Sequence, residues 1–445
     1  MAAPSTGAAA LARGHLWLGV AALIGAGLLA VVLVVSRTPG IATVFSVQNI
    51  FRAALVVHVD LSVLVWFMAF AGVLWSLITP ARWLALGWLG CGLAVLGTLL
   101  LTASPFLDGA TPLLNNYIPV LDQRVFMAGL LACGAGFGIA ILRTLLLARA
   151  GPEWAGGERA LRQGVLWAAI AGALAWLALG WTWFHLPAAQ GAAYFEMLFW
   201  GPGHVLQFQH ALLAGVAWLW LAHDLGAQPA GLSAPWTRLS MALAATPLAA
   251  VPLLYVVWPV GSPDHLSAFA QLMQWGHLWM LPLGALAVAA LPAAWRAAPS
   301  PQRSAFLASM LLFASGGVLA FMIRGINVVV PAHYHGSIVG VTLAFMGLTY
   351  GLLPMLGYRS ANAAWIRWQP LVYGGGQLMH ILGLAWSGGY GVQRKVAGAQ
   401  QVLSTLPEKI GMGMMGLGGL IAIIGGLMFV WACLQSMRHR PLASA

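Results

Sequence analysis

The alternation of long apolar runs with short polar connections divides the chain into twelve hydrophobic segments. Each segment is near the length of ~20 residues that an α-helix needs to cross the hydrocarbon core of a bilayer. The pattern therefore predicts an all-α integral membrane bundle of about twelve helices in one membrane domain, residues 1–445. The predicted spans are 16–36, 56–79, 83–103, 125–148, 163–185, 195–223, 238–260, 269–294, 305–323, 332–357, 367–388 and 411–435.

Composition supports a membrane protein and gives its orientation. Hydrophobic residues make up 61% of the chain and charged residues only 7%, whereas soluble proteins carry about a quarter charged residues. We attribute the net charge of +11 to the positive-inside rule rather than to nucleic-acid binding. A cytoplasmic N-terminus and C-terminus place 13 of the 20 basic residues on the cytoplasmic side, namely Arg13, Arg82, Arg143, Arg149, Arg159, Arg162, Arg238, Arg296, Arg303, Arg359, Arg367, Arg438 and Arg440.

Five histidines come out at one depth when this topology is applied. His58, His204, His333 and His335 lie early in spans that run inward, and His265 follows a span that ends outside. All five therefore fall in the outer half of the bilayer. Ionisable residues are costly there and are functional by default, and imidazole is a good ligand for haem iron, copper and non-haem iron. This set predicts haem or metal binding.

The pair His333 and His335 is the most specific feature of the set. Each residue turns a helix by about 100°, so two residues that are two positions apart point to nearly opposite sides. The pair is therefore suited to binding two different metal centres and poorly suited to sharing one.

At this point the chain resembles subunit I of the haem–copper oxidase superfamily, which includes the nitric oxide reductases. The motifs that carry the resemblance are Phe199–His204 at the start of the sixth span, Val329–His335 and Gly347–Pro354 in the tenth, and Met379–Leu384 followed by Arg394 and Lys395 near the eleventh. The match covers nearly the whole chain, with twelve spans in the right order, and the order and spacing of the motifs support it.

The resemblance implies two haems. His58 and His335 would be the axial ligands of a low-spin haem, and His333 would be the proximal ligand of a high-spin haem on the opposite face. Arg394 and Lys395 would contact haem propionates, which suit basic groups that combine charge with hydrogen-bond donors.

A non-haem metal facing the high-spin haem is also implied, with His204 as one ligand. The family normally has two adjacent histidines after the seventh span, where this chain has Asp264 and His265. Two histidines and a carboxylate suit iron better than copper. An alternative is that Asp264 only caps or solvates the loop, and His277 is a rival ligand.

The sixth span shows a second departure from the family. Many oxygen reductases have a tyrosine one turn after the histidine of this span, which supplies an electron and a proton to O2. Here that position is Phe208, with Gln207 beside it, and Tyr255 in the seventh span is a possible substitute. Gln207 could orient a proton-carrying water.

These departures favour a terminal respiratory reductase that converts nitric oxide to nitrous oxide. The alternatives are an oxygen reductase, that is, a cytochrome c or quinol oxidase, and a non-catalytic haem-binding membrane protein. The chain lacks a CxxCH motif and closely spaced cysteines, so electrons would come from another subunit, from cytochrome c or from a cupredoxin. We expect a multi-pass protein of the bacterial inner membrane, with its active site toward the periplasm.

Overall fold

The computed structural model describes residues 4–40, 48–151, 154, 158–227, 235–361, 363–397 and 400–438. These residues are almost entirely helical, which confirms the predicted all-α class. The helices are α1 (Thr6–Arg37), α2 (Gln48–Val59), α3 (Trp66–Ile78), α4 (Leu84–Ala103), α5 (Arg124–Leu147), α6 (Glu158–His185), α7 (Gly191–Asp224), α8 (Pro235–Ala245), α9 (Ala250–Val257), α10 (Pro263–Gly276), α11 (Leu281–Arg296), α12 (Pro301–Phe321), α13 (Val329–Met355), α14 (Gln369–Gly389) and α15 (Leu406–Met437).

Most predicted spans correspond to one helix, and within the described ranges eleven helical stretches are long and apolar enough to cross a membrane. The predicted span 367–388 corresponds to α14, a helix of 21 residues that packs along α15. Glycines and glutamines lower the mean hydropathy of α14, so it is not one of the eleven stretches that are apolar enough to cross a membrane. The chain is a multi-pass membrane protein.

Three spans depart from regular α-helix. The second is continuous from α2 to α3 through a π-helical segment at Asp60–Val65. The seventh breaks into α8 and α9 at a 3-10 turn, Thr246–Ala249, where Pro247 lacks the amide hydrogen of a regular helix. The eighth joins α10 to α11 through a second 3-10 turn, His277–Met280. Such interruptions inside membrane helices are tolerated where protein surrounds them.

The contacts between residues divide the chain into two compact units. Among the described residues, the first unit contains those up to Gly19 and Leu64–Ala293, and the second contains Val20–Val63 and those from Ala294 on. Helices α4 and α5 pair closely in the first unit, as do α6 and α7, while α12 packs on α13 and α14 on α15 in the second. The prediction of a single membrane domain stays a prediction.

A short β-ribbon interrupts the first unit between α4 and α5. Strand β1 (Thr111–Leu113) pairs antiparallel with β2 (Val120–Asp122), with Pro112 opposite Leu121. The connection between the two strands carries Asn115, Asn116 and Tyr117. This ribbon presents Tyr117 to one of the predicted metal ligands.

Candidate functional site

His333 is held by the close approach of α12 and α13. Its Nδ1 donates to the carbonyl oxygen of Gly316 at 2.8 Å. A Cβ at Gly316 would lie 2.4 Å from the backbone nitrogen of Ser337, so only glycine allows this approach. Because a carbonyl only accepts, Nδ1 carries the ring proton, and the lone pair on Nε2 is left for a metal.

His335 points to a different neighbour from that of His333. Its ring lies 4.8 Å from the ring of His380 on α14, measured between centroids, and the two planes are tilted by 52°. His380 is itself fixed, because its Nδ1 donates to the carbonyl of Met415 on α15 at 2.9 Å. Thus His333 contacts α12 and His335 contacts α14.

His58 lies in the last turn of α2, just before the π-helical segment. Its Nδ1 donates to the carbonyl of Ala26 on α1 at 2.9 Å. The ring is half-buried, as are those of His333 and His335. As with His333, the hydrogen bond selects the tautomer whose Nε2 is free to bind iron.

Arg394 and Lys395 occupy the half-buried connection after α14. The amide of Val328 donates to the carbonyl of Val392 at 3.0 Å, which ties this connection to the start of α13. Arg37, at the end of α1, donates to the carbonyl of Gln393 at 3.3 Å and to Oε1 of Gln401 at 3.0 Å. The sequence had not singled out Arg37, yet it supports the segment that carries the predicted propionate contacts.

His204 in α7 has both ring nitrogens engaged. Its Nδ1 donates to the carbonyl of Trp200 at 2.6 Å, and its Nε2 lies 2.7 Å from the hydroxyl oxygen of Tyr117. The indole nitrogen of Trp200 in turn donates to the carbonyl of Leu266 at 3.0 Å, which ties α7 to α10. Tyr117 was missed because it lies 87 positions before His204, in a polar connection with no motif.

Asp264 and His265 diverge at the start of α10. The Ser262 side chain caps this helix by accepting the amide hydrogen of His265. Asp264 is exposed in the first turn, where a carboxylate is favourable to the helix dipole. His265 is fully buried, and within the described part of the chain both of its ring nitrogens lack a hydrogen-bond partner. Its ring centroid is 5.2 Å from that of Tyr255 and 5.0 Å from that of Phe269.

The position one turn after His204 is filled by an aromatic stack. Phe208 lies parallel to His277, with ring centroids 4.2 Å apart and an angle of 14° between the planes. The Nδ1 of His277 donates to the carbonyl of Met273 at 2.8 Å. Gln207, the residue just before Phe208 on α7, is half-buried. The hydroxyl of Tyr255 bonds Thr182 at 2.9 Å.

The candidate ligands of the non-haem metal are therefore only partly assembled. Among the described residues, no three His, Cys, Asp or Glu side chains stand together at metal-binding range. His204 is paired with Tyr117, while the exposed Asp264 is not paired with His265. The assignment of His204, His265 and Asp264 as ligands stays a prediction. Free Nε2 atoms on His58 and His333 and the unpartnered His265 nitrogens do fit metal-binding groups.

Comparisons with known proteins bear on the whole chain. A family model described as cytochrome c and quinol oxidase polypeptide I matches residues 10–430. An uncharacterised protein of Rickettsia prowazekii (strain Madrid E) is 29% identical, with 96% of each chain covered. An uncharacterised protein of Aquifex aeolicus (strain VF5) is 28% identical over 75% of this chain and 82% of its own. A solved haem–copper terminal oxidase dimer has the same fold, with a TM-score of 0.74 at 16% identity, covering 98% of this chain and 85% of that one.

Proposed function

Because this chain belongs to the family of cytochrome c and quinol oxidase polypeptide I, we propose that it is the catalytic subunit of a terminal reductase that converts nitric oxide to nitrous oxide. The family consists of oxidoreductases, and its members generally bind two haems and a metal. Membership of this family also implies a partner that donates electrons. For this chain we propose another subunit, cytochrome c or a cupredoxin as donor, and an active site on the periplasmic side of a bacterial inner membrane.

The ring orientation of three predicted ligands fits the metal centres that the proposal requires. His58, His204 and His333 each donate Nδ1 to a backbone carbonyl, at 2.9, 2.6 and 2.8 Å. A histidine ligand that donates its other nitrogen in this way is oriented for its metal, and its basicity is raised. His277 and His380 donate Nδ1 to a carbonyl in the same way, so this bond fits metal binding but does not single out its ligands. The choice of His58, His204 and His333 rests on the motifs by which the sequence resembles the family.

The residues then take separate roles. We propose that His58 and His335 hold the low-spin haem, that His333 holds the high-spin haem, and that His204 and His265 hold a non-haem iron. When bound, these groups supply electrons and two sites for nitrogen, so that two NO, two electrons and two protons give N2O and water. Gln207, half-buried on α7, would orient a water that carries a proton.

The observation that carries nitric oxide as the substrate is Phe208, which lies one turn after His204 on α7. A phenylalanine supplies neither a proton nor an electron, and here its ring is stacked on His277. The other support comes from the sequence alone: Asp264 stands where the family has a histidine, and an oxygen donor together with histidines suits iron better than copper.

Oxygen reduction is the second candidate, and one observation favours it. The Tyr117 hydroxyl lies 2.7 Å from Nε2 of His204, so a phenol is present beside the predicted metal ligand although α7 supplies none. A phenol that keeps its hydrogen could deliver a proton and an electron to O2. Tyr255 lies near His265, but its hydroxyl is bonded to Thr182.

The test is to quantify haem, iron and copper in the purified complex and to measure NO and O2 consumption side by side. We expect two haems, one non-haem iron and NO turnover. One copper, no non-haem iron and fast O2 uptake without NO consumption would refute nitric oxide reduction and support oxygen reduction. A protein whose high-spin haem binds CO but which consumes neither gas would indicate a non-catalytic haem protein.

A further inference from the structure

Tyr117 reaches the one atom of His204 that a metal would use. Nδ1 of His204 donates to the Trp200 carbonyl, so this ring is neutral and its lone pair is on Nε2. The Tyr117 hydroxyl, 2.7 Å away, is therefore the donor in the bond to Nε2. A metal that binds Nε2 takes the lone pair that now accepts this hydrogen, so metal binding must break the hydrogen bond from Tyr117.

The ring of Tyr117 has little freedom to turn away. It lies directly on Gly203, where an added Cβ would come within 2.4 Å of the ring carbon Cγ. It also packs edge-on against Trp200 at 5.9 Å between centroids. Its amide donates to Oδ1 of Asn115 at 3.0 Å, which fixes the backbone at this position. The phenol oxygen therefore remains beside Nε2.

A second anchor fixes the connection that carries Tyr117. The neighbouring Asn116 donates to both carboxylate oxygens of Glu196 on α7. Its backbone N–H donates at 3.0 Å and its side-chain Nδ2 donates at 2.6 Å. Glu196 lies two turns before His204 on the same helix. The strand connection and the histidine are thus held to one rigid element.

We propose that Tyr117 is the oxygen ligand of the non-haem metal, bound as phenolate beside His204. Two donors that bind one metal at about 2.0–2.2 Å are roughly 3 Å apart, close to the separation seen between this oxygen and nitrogen. The oxygen–hydrogen bond breaks, a metal–oxygen bond forms, and the proton leaves to solvent. No electron is transferred. This inference rests on the proposed function, because that function requires the metal.

The surroundings favour Tyr117 over Asp264 as the oxygen donor. Asp264 is exposed at the helix start, whereas Tyr117 already touches a predicted ligand. His265 provides independent support for a metal on this side of α10, because its two buried ring nitrogens have no partner in the described residues. Buried imidazole nitrogens are costly to leave unpaired, and a metal would remove that cost for one of them.

The two oxygen donors differ in the number of protons that metal binding releases. A ligand must be deprotonated to bind a metal, so a phenol that becomes a ligand releases one proton, whereas an ionised carboxylate releases none. The experiment uses the haem-loaded protein from which the non-haem metal has been removed by chelation. Fe(II) is added without oxygen, and its dissociation constant and the protons released are measured by calorimetry in buffers of different ionisation enthalpy.

Three proteins are compared: the wild type, Tyr117→Phe and Tyr194→Phe. Tyr194→Phe is the matched control, since it removes a hydroxyl on the same helix as His204 from a ring that packs against Phe195. We expect the wild type and the control to release one proton per Fe(II). Tyr117→Phe should release none and bind Fe(II) at least 10–100-fold more weakly, by comparison with the loss of outer-shell partners. Unchanged haem spectra show that each variant is folded.

Several outcomes would overturn the inference. If Fe(II) binding to the wild type releases no proton, that result alone overturns the inference, even if Tyr117→Phe cannot be purified. Equal Fe(II) affinity and proton release in Tyr117→Phe and the wild type would also overturn it. The test separates this inference from the proposed function. If Fe(II) binding releases a proton but NO is not turned over, Tyr117 is a ligand and nitric oxide reduction is refuted. If NO is turned over but Fe(II) binding releases no proton, nitric oxide reduction stands and Tyr117 is not a phenolate ligand.

Discussion

The bond from His333 to the Gly316 carbonyl gives the sharpest test of the haem assignment, through Gly316→Ala. The added Cβ would lie 2.4 Å from the backbone nitrogen of Ser337 and 2.8 Å from the carbonyl carbon of Gly336. Neither backbone atom can rotate away, and ordinary contact needs about 3.5 Å. Helices α12 and α13 must therefore separate locally by about 1 Å.

That separation is enough to break the bond. The donor–acceptor distance is 2.8 Å, and an increase of about 1 Å takes it beyond the 2.7–3.2 Å range of N–H···O bonds. His333 would lose the acceptor that raises its basicity as a ligand, a kind of loss that typically costs 10–100-fold in affinity for the metal. Overpacking itself costs about 1–3 kcal/mol.

The assay is resonance Raman spectroscopy of the reduced high-spin haem, together with its CO-binding spectrum. We expect Gly316→Ala to shift the iron–histidine stretch to lower frequency and to reduce CO-binding haem, with the low-spin haem unchanged. Gly317→Ala is the control, since a Cβ at this neighbouring residue meets nothing within 4 Å. If the two variants gave the same stretch and the same haem content, the proposed role of the Gly316 carbonyl would be wrong.

Three further predictions concern the contacts of Tyr117, His335 and Arg37. The Cβ of Gly203→Ala would lie 2.4 Å from the Tyr117 ring, so this variant should displace the ring and weaken Fe(II) binding about 10–100-fold in a chelator competition. Gly180→Ala, whose added Cβ meets nothing within 4 Å, should not. His335→Ala should abolish the low-spin haem spectrum and leave CO binding by the high-spin haem; loss of both would contradict separate roles for the two histidines. Arg37→Ala removes a positive charge and two hydrogen bonds from the segment after α14, so the low-spin haem potential measured by redox titration should fall by tens of millivolts, and an unchanged potential would count against that role.

The membrane fold was predictable because its signal is local: apolar runs of spanning length give the helices. Charge bias predicts the orientation, and the haem ligands were proposed from a signal that is also local. Histidines such as His58 and His333 stand out because ionisable side chains are rare inside a bilayer. Their backbone acceptors, Ala26 and Gly316, carry no signal of their own, since any residue has a carbonyl. Only helix packing reveals which carbonyl is within reach.

The proposed oxygen donor, Tyr117, could not be predicted in the same way. Asp264 was chosen because it precedes His265, but adjacent residues in the first turn of a helix point about 100° apart. One side chain is exposed there and the other is buried. Tyr117 lies in a strand connection far from α7 in the chain, and its position depends on the β-ribbon and on the two bonds from Asn116 to Glu196. No spacing rule links such residues.

The state of Tyr117 connects the metal site to the choice of substrate. A phenol beside His204 that keeps its hydrogen could give a proton and an electron to O2, as an oxygen reductase requires. A phenolate bound to the metal has already lost that proton, and its oxygen is a hard donor that suits iron better than copper. The two roles exclude each other, so one proton released on Fe(II) binding argues for nitric oxide, and none leaves Tyr117 available for oxygen chemistry.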